Sequence, residues 1–490
     1  MIKSRPHVLL LVTDQQRGDS VGIEDHPVLQ TPAMDYLAAS GTRFRRAYAE
    51  CPQCVPARRT LMSGQDPATH GMLQNDPGQD WMPPATVADQ LKAAGYETHL
   101  SGKLHLAPKR KRYGFDAMEL ADSTRGDYND YLDWLHGEDP SDRWAMAHGA
   151  TPNGWIGRPS HLPEEKTHAF WCVSNAIKFL EKRDPTSPLF LKVSFIDPHP
   201  PFTPPAFFFN RYDRCELPDP KIGDWVDPVD APTRGIDIEM REARSQGLEL
   251  DRPQMQACRA GYYGLINHVD MQISRLLQYM RDERLIDNTL IVFVSDHGEM
   301  LGDHRLFHKS WPYEASARVP LFVRAPDGLG CPRETICDLP VGLQDVMPTI
   351  LDGVGLDIPK SVTGRSLMPF VRGEVSKWRH VIHGEHSGGT RPETAWHFLT
   401  DGRMKYVWYS QTGREQLFDV EADPNELRDL AASDDLGVWR ERLMAQLARR
   451  PESFTDGNQL IVGRLHGPFV PNTPAAGNPP TSFGLVAERD

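Results

Sequence analysis

The sequence has few cysteines and no long apolar run. Its seven cysteines, at 51, 54, 172, 215, 258, 331 and 337, are scattered over 490 residues. An odd, sparse set does not make a disulfide framework. The apolar run Val8–Val12 follows Lys3 and Arg5 but is cut by Asp14. A secretory leader needs about 7–15 apolar residues, and a membrane span about 20. A cytoplasmic, soluble protein with no membrane partner is therefore expected. Positive charge is also in deficit, with a net charge of −13. That excludes nucleic-acid binding by bulk electrostatics, while a local cationic pocket can still hold an anionic substrate. Internal repeats are absent.

A chain of this length exceeds one core of roughly 100–200 residues, so two domains are expected, one of them large. His7–Val12, Leu189–Phe195 and Leu290–Val294 read as strands buried on both faces. A shorter strand is expected around Thr98–Leu100. Helical patterns separate them: one opened by Thr31-Pro32 and closed by Gly41, then Thr86–Ala94, Thr167–Arg183 and Cys258–Glu283. Strands alternating with helices predict a mostly parallel sheet covered on both faces. Open sheets of this kind bind ligands at the C-terminal ends of their strands. Asp14-Gln15, His199 and Asp296-His297 follow such ends, so they are expected to converge. The pattern changes near Gly364–Lys377. Trp396–Leu399 and Lys405–Tyr409 flank Asp401-Gly402, a hairpin signal. Gln416–Val420 and a helix over Asp435–Arg450 follow. The expected division is an α/β domain over 1–375, a small α+β domain with an antiparallel sheet over 376–450, and an extended Pro/Gly-rich tail over 451–490.

One segment carries the chemistry. In Cys54-Val55-Pro56-Ala57-Arg58-Arg59-Thr60-Leu61-Met62-Ser63-Gly64, Pro56 suits a first helical turn and places Cys54 at a helix N-terminus. The dipole there favours an anionic nucleophile or oxyanion, and Arg58 lies one turn on. Cys51-Pro52-Gln53-Cys54 also reads as a redox pair or half a zinc site, but no second pair completes it.

The segment resembles the signature of the sulfatase family within the alkaline-phosphatase superfamily: Cys-x-Pro-Ser/Ala-Arg followed by Leu-x-x-Gly. The resemblance continues in order through Asp14-Gln15, Gly102-Lys103-Leu104-His105, Pro198-His199, Ser295-Asp296-His297-Gly298-Glu299, Leu301-Gly302-Asp303-His304, Lys309 and Arg318-Val319-Pro320-Leu321. Gln15 and His297 stand where aspartate and asparagine are frequent, and they resemble the choline-sulfatase and phosphonate-monoester-hydrolase branches. The resemblance implies an alkaline-phosphatase-like fold and oxidation of Cys54 to formylglycine by a maturation system. It implies one divalent cation on Asp14, Gln15, Asp296, His297 and the modified Cys54. Such donors suit Ca²⁺ first, with Mn²⁺ or Mg²⁺ next. Lys103 and Lys309 would hold sulfate oxygens, Arg58 the hydrated aldehyde, His105 its second hydroxyl, and His199 the leaving alcohol. His304 and His308 are given no role.

The implied activity is hydrolysis of a small-molecule or carbohydrate sulfate ester, with aryl, choline and carbohydrate sulfates all open. A phosphonate monoester or phosphodiester hydrolase is the alternative, and an inactive binding protein the remote one. His383-Gly384-Glu385-His386 is read as a loop after the short strand Val381–Ile382, with His383, Glu385 and His386 as candidates for binding the alcohol portion. The tail from Gly467 is a second candidate, reaching into a neighbouring subunit of a homo-oligomer.

Overall fold

The computed structural model describes residues 5–473 except 77, 123–128, 139–152, 227–249, 375–376, 390 and 472. Along the chain the strands are β1 (His7–Thr13), β2 (Thr42–Phe44), β3 (Ala47–Tyr48), β4 (Glu97–Gly102), β5 (Ala117–Leu120), β6 (Leu189–Ser194), β7 (Thr289–Ser295), β8 (Leu321–Arg324), β9 (Thr335–Cys337), β10 (Val341–Gly342), β11 (Ile382–His386), β12 (Trp396–Thr400), β13 (Met404–Tyr409) and β14 (Glu415–Asp419). Eight of them form one sheet in the order β5-β4-β6-β1-β7-β8-β2-β9. From β5 to β7 every pairing is parallel, and β8 runs against both its neighbours. This is the expected mixed, mostly parallel sheet.

Alternation along the buried strands builds two apolar layers. Leu9 and Leu11 of β1 pack with residues of the helices Pro32–Ala39, His168–Lys182 and Arg252–Asp282. Val8, Leu10 and Val12 pack with residues of the helices Cys54–Ser63, Val87–Ala93 and Val346–Gly353. Register then sets the site. Val12 pairs with Ser194, Thr13 with Ser295 and Gly102 with Ser194. Four adjacent strands thus end in one row, and Lys103, Asp14 and Asp296 follow directly.

A second, antiparallel sheet runs β11-β12-β13-β14. One of its faces contributes Trp396, Phe398 and Val407 to a core shared with Tyr48, Met300, Trp311 and Tyr313. The other contributes Leu399, Tyr406 and Trp408 to a core under the helix Leu436–Leu447. The expected boundary at 375/376 lies outside the described residues, as does the tail from 474 on. Two readings change. His383–His386 is not a loop but most of β11, because its backbone pairs in register with His397 and Leu399. The stretch after Pro451, expected to have little core, buries Phe454, His466 and Val470. No helix among the described residues is long and apolar enough to cross a membrane.

Candidate active site

Cys54 is the first residue of the helix Cys54–Ser63, which ends at Gly64 with φ 66°. The Val55 N–H, one of the helix's free N-terminal donors, is received by Asn75 Oδ1 at 2.8 Å. Cys54 is buried and faces the ends of β1 and β7. Its Sγ lies 3.3 Å from His297 Nε2 and 3.9 Å from Asp14 Oδ1. Asp14, Cys54, Asp296 and His297 each present a ligand atom within 4.8 Å of all the others. His297 Nδ1 sits 3.0 Å from the Gly298 carbonyl. Donating there keeps the Nε2 lone pair turned to the centre, the tautomer a metal ligand needs. Two carboxylates, one imidazole and one thiol, all buried, fit a divalent cation.

Cations close the arrangement. Arg58 is fully buried, 0% exposed, and its Nε lies 2.9 Å from Asp296 Oδ2. Its remaining nitrogens reach Asp14 Oδ2 at 3.2 Å, the Lys103 carbonyl at 3.1 Å and Ser194 Oγ at 3.0 Å. Its N–H fork is thus spent on the carboxylates and on the ends of β4 and β6. Lys103 Nζ lies 2.5 Å from Asp14 Oδ2. Lys103 reaches this point because Gly102, at φ 110°, lets the backbone pass so close to β6 that a Cβ would meet the Ser194 carbonyl. Lys309 Nζ donates to Gln15 Oε1 at 2.6 Å. Gln15 itself adopts φ 70°; its side-chain amide donates to Glu299, and its backbone N–H to Asp296 Oδ1 at 3.1 Å. In this arrangement the Gln15 carbonyl oxygen meets Lys309.

Charge follows position. Burial and Asp14 push the Cys54 thiol up, but Lys309, Lys103 and His297 outweigh them and hold it well below its ordinary value. Burial likewise opposes ionisation of Asp14, yet Lys103 and then Arg58 keep it ionised. Burial and Asp14 raise Asp296. Burial lowers His297, but Asp296 and Cys54 more than restore it. His199 is pushed far down, first by burial and then by Lys309. Its Nδ1 lies 2.8 Å from the Pro200 carbonyl.

His105 has φ 55°, and its ring Nδ1 is buried without a hydrogen-bond partner. The N–H groups of Leu104 and His105 both donate to Asp122 Oδ1, at 2.7 and 2.8 Å. Asp122 and Ser194 were not foreseen. Ser194 carried one signal, its place at the end of a buried strand. Asp122 carried none, because its role comes from lying across from Gly102–His105. Glu299, quoted in a motif but given no task, receives Gln15 and the Leu301 and His308 N–H groups.

The residues proposed for the alcohol portion separate. Alternation in β11 places His386 on one face and His383 with Glu385 on the other. His386 Nε2 lies 3.1 Å from Gln53 Oε1, next in the chain to Cys54. Glu385 pairs across the strands with His397 and forms an ion pair with Arg450 at 2.6 Å. The structure therefore brings only His386 towards Cys54. Cys51, the other half of the Cys-x-x-Cys, is buried and its thiol is pushed up by burial and then by Glu385.

A family model described as Sulfatase matches residues 6–356, and one described as N-sulphoglucosamine sulphohydrolase, C-terminal, matches residues 302–453. An arylsulfatase of Clostridium perfringens is 37% identical over 478 residues, covering 94% of this chain and 98% of its own. A choline-sulfatase of Rhizobium meliloti is 30% identical, covering 88% of this chain and 83% of its own. A solved phosphonate monoester hydrolase of Agrobacterium radiobacter superposes with a TM-score of 0.76 at 27% identity, covering 91% of this chain and 95% of its own.

Proposed function

The chain belongs to the sulfatase family and is a sulfuric ester hydrolase, and from that premise we propose which residues act and which ester they favour. Cys54 is converted to formylglycine by a maturation partner; when present, that group supplies the attacking hydroxyl and a second hydroxyl whose deprotonation releases sulfate. Asp14, Asp296 and His297, with Gln15 alongside, hold a divalent cation, Ca²⁺ first and Mn²⁺ as the competitor that the imidazole admits. Such a cation neutralises charge on a sulfate oxygen. Lys103 and Lys309 supply the remaining positive charge, turning from Asp14 and Gln15 to the sulfate. His105, with its unpartnered Nδ1, takes the proton of the second hydroxyl. Arg58 holds the two carboxylates in place rather than touching the nucleophile. Of the β11 residues, His386 is retained at the pocket wall. Val8–Val12 is strand β1 in the middle of the sheet and so is not itself a cleavable leader; a cytoplasmic location belongs to the same proposal.

The observation that selects the ester is His199. Donation from Nδ1 to the Pro200 carbonyl leaves Nε2 as an acceptor, and its low pKa keeps the ring neutral. With its one proton held at Nδ1, the neutral ring has none at Nε2 to give to a leaving oxygen. The favoured leaving group is then one that departs without a full proton, as a phenolate does with a pKa of about 10. This points to aryl sulfates, in keeping with the similarity to an arylsulfatase. Likeness to a phosphonate monoester hydrolase favours such esters as a second, slower substrate class.

The test takes two readings. In a host with the maturation system, the peptide containing residue 54 should carry the aldehyde mass. Across aryl sulfates of graded leaving-group pKa, kcat/KM should fall steeply with pKa, with the same slope in wild type and His199→Ala. A shallow wild-type slope that steepens in the variant would make His199 a proton donor and overturn the aryl assignment. An unmodified Cys54 in an active enzyme would remove the nucleophile.

A further inference from the structure

The face of the second sheet turned away from Cys54 holds a group of side chains with no part in ester hydrolysis. Glu385 of β11 stands opposite His397 of β12. The C-terminal segment lays His466 over them, its ring parallel to that of His397 at 4.6 Å and 7°. Glu385, His397 and His466 are all buried, and each presents a ligand atom within 4.8 Å of those of the other two. Glu385 Oε2 is 3.8 Å from His397 Nδ1 and 3.6 Å from His466 Nε2. His383 Nε2 is 3.1 Å from His397 Nδ1. Two nitrogens bound tetrahedrally at about 2.0–2.1 Å stand about 3.3 Å apart, and these separations bracket that value.

Two observations point to an ion rather than a plain ion pair. Glu385 Oε2 and His466 Nε2 are buried and neither makes a hydrogen bond, which is costly for groups with no other partner. Glu385 already has its countercharge, through Oε1, in Arg450, which is itself shared with Glu452. His466 Nδ1 is held by Ser410 Oγ at 3.1 Å. At Glu385 and His466 an outer atom is thus fixed while the inner one stays free, as in ligands oriented from behind; at His397 the inner Nδ1 meets His383 and Nε2 has no partner.

We propose that Glu385, His397 and His466, with His383 as fourth donor, form a structural zinc site that fastens the C-terminal segment to the second sheet. Three imidazole nitrogens and one carboxylate oxygen suit Zn²⁺ and not Ca²⁺ or Mg²⁺, which want oxygen. The site closes on a segment with little regular structure to hold it. That segment goes on to receive the Leu73 N–H at the Pro468 carbonyl, at 2.8 Å, and to donate from Val470 to the Gly71 carbonyl, at 2.9 Å. Both lie on the stretch that carries Asn75, the residue receiving the Val55 N–H at the nucleophile helix. The ion thus steadies, at a distance, the loop behind Cys54.

Untagged full-length protein is stripped with a zinc-selective chelator and titrated with Zn²⁺, following melting temperature and bound zinc by elemental analysis. Wild type should take up about one zinc per chain at this site and melt at least about 5 °C higher. The gain should persist in Asp296→Asn, which lacks an active-site ligand, and vanish in His466→Gln. No gain in wild type, loss of the gain in Asp296→Asn, or an undiminished gain in His466→Gln overturns the proposal. Should His466→Gln fail to fold, wild type and Asp296→Asn decide alone.

Discussion

Arg58 is the residue on which the charge of the site turns. It is fully buried between Asp14 and Asp296, whose carboxylates otherwise face each other across the metal position. Breaking a buried pair leaves an uncompensated charge at about 3–5 kcal/mol. Arg58→Met should therefore lower the melting temperature markedly and abolish turnover. Because a cation on the same carboxylates replaces part of the lost charge, saturating Ca²⁺ should raise the variant's melting temperature more than that of wild type. Equal Ca²⁺ shifts in the two proteins would show that Arg58 does not balance the metal carboxylates. At this scale the sequence was informative wherever a residue sits beside its motif: Arg58 one helical turn from Cys54, and Asp14 and Asp296 at strand ends. Asp122 and Ser194 act through contacts between distant segments, which no local pattern records.

Among the elements, long buried strands were readable because four or more apolar residues in a row have few other places to go. β2, β3, β9 and β10 span two to three residues each and offer no period to read. β11 was mistaken for a loop because its polar residues mask it; two of them face the group around His466. β3 is followed by Glu50, which shows how such short pieces are held. Its carboxylate receives the Leu343 and Gln344 N–H groups, both at 3.2 Å, and its carbonyl receives Glu385 N–H at 2.7 Å. Burial, and then Asp345, push its pKa up to about 8. The folded state thus keeps a proton that the unfolded chain releases near the ordinary glutamate value. Stability should fall as pH rises from about 5 to about 8, with a slope of up to about 1.4 kcal/mol per pH unit from this one group. Glu50→Gln removes that contribution, so its melting temperature relative to wild type should climb steadily over the same window. A difference independent of pH would show that Glu50 is ionised in the fold.

Across the whole molecule, the second sheet braces the large one at the place where the Cys54 helix and Lys309 meet. Ser310, next to Lys309, is the link: its N–H donates to the Pro52 carbonyl at 2.9 Å, and its own carbonyl receives Trp396 Nε1 at 2.9 Å. Trp396 belongs to β12 and is fully buried against Phe398. Beneath them Lys405 of β13 is sealed between Glu314 and Glu426 at 3.1 and 3.3 Å. The second sheet thus reaches both sides of the candidate site, holding Lys309 through Ser310 and the entrance to the Cys54 helix through Pro52. Trp396→Phe keeps most of the ring's packing and deletes the bond to Ser310, leaving a part-buried carbonyl unpaired at a cost of about 1 kcal/mol. A purely structural role would lower the melting temperature and leave the folded enzyme's kinetics alone. Bracing of Lys309 requires more: kcat/KM for an aryl sulfate should fall about tenfold at temperatures where the variant is fully folded, because a sulfate-binding cation has lost its fixed position. Unchanged kcat/KM in the folded variant would mean that Lys309 is held from the catalytic sheet alone.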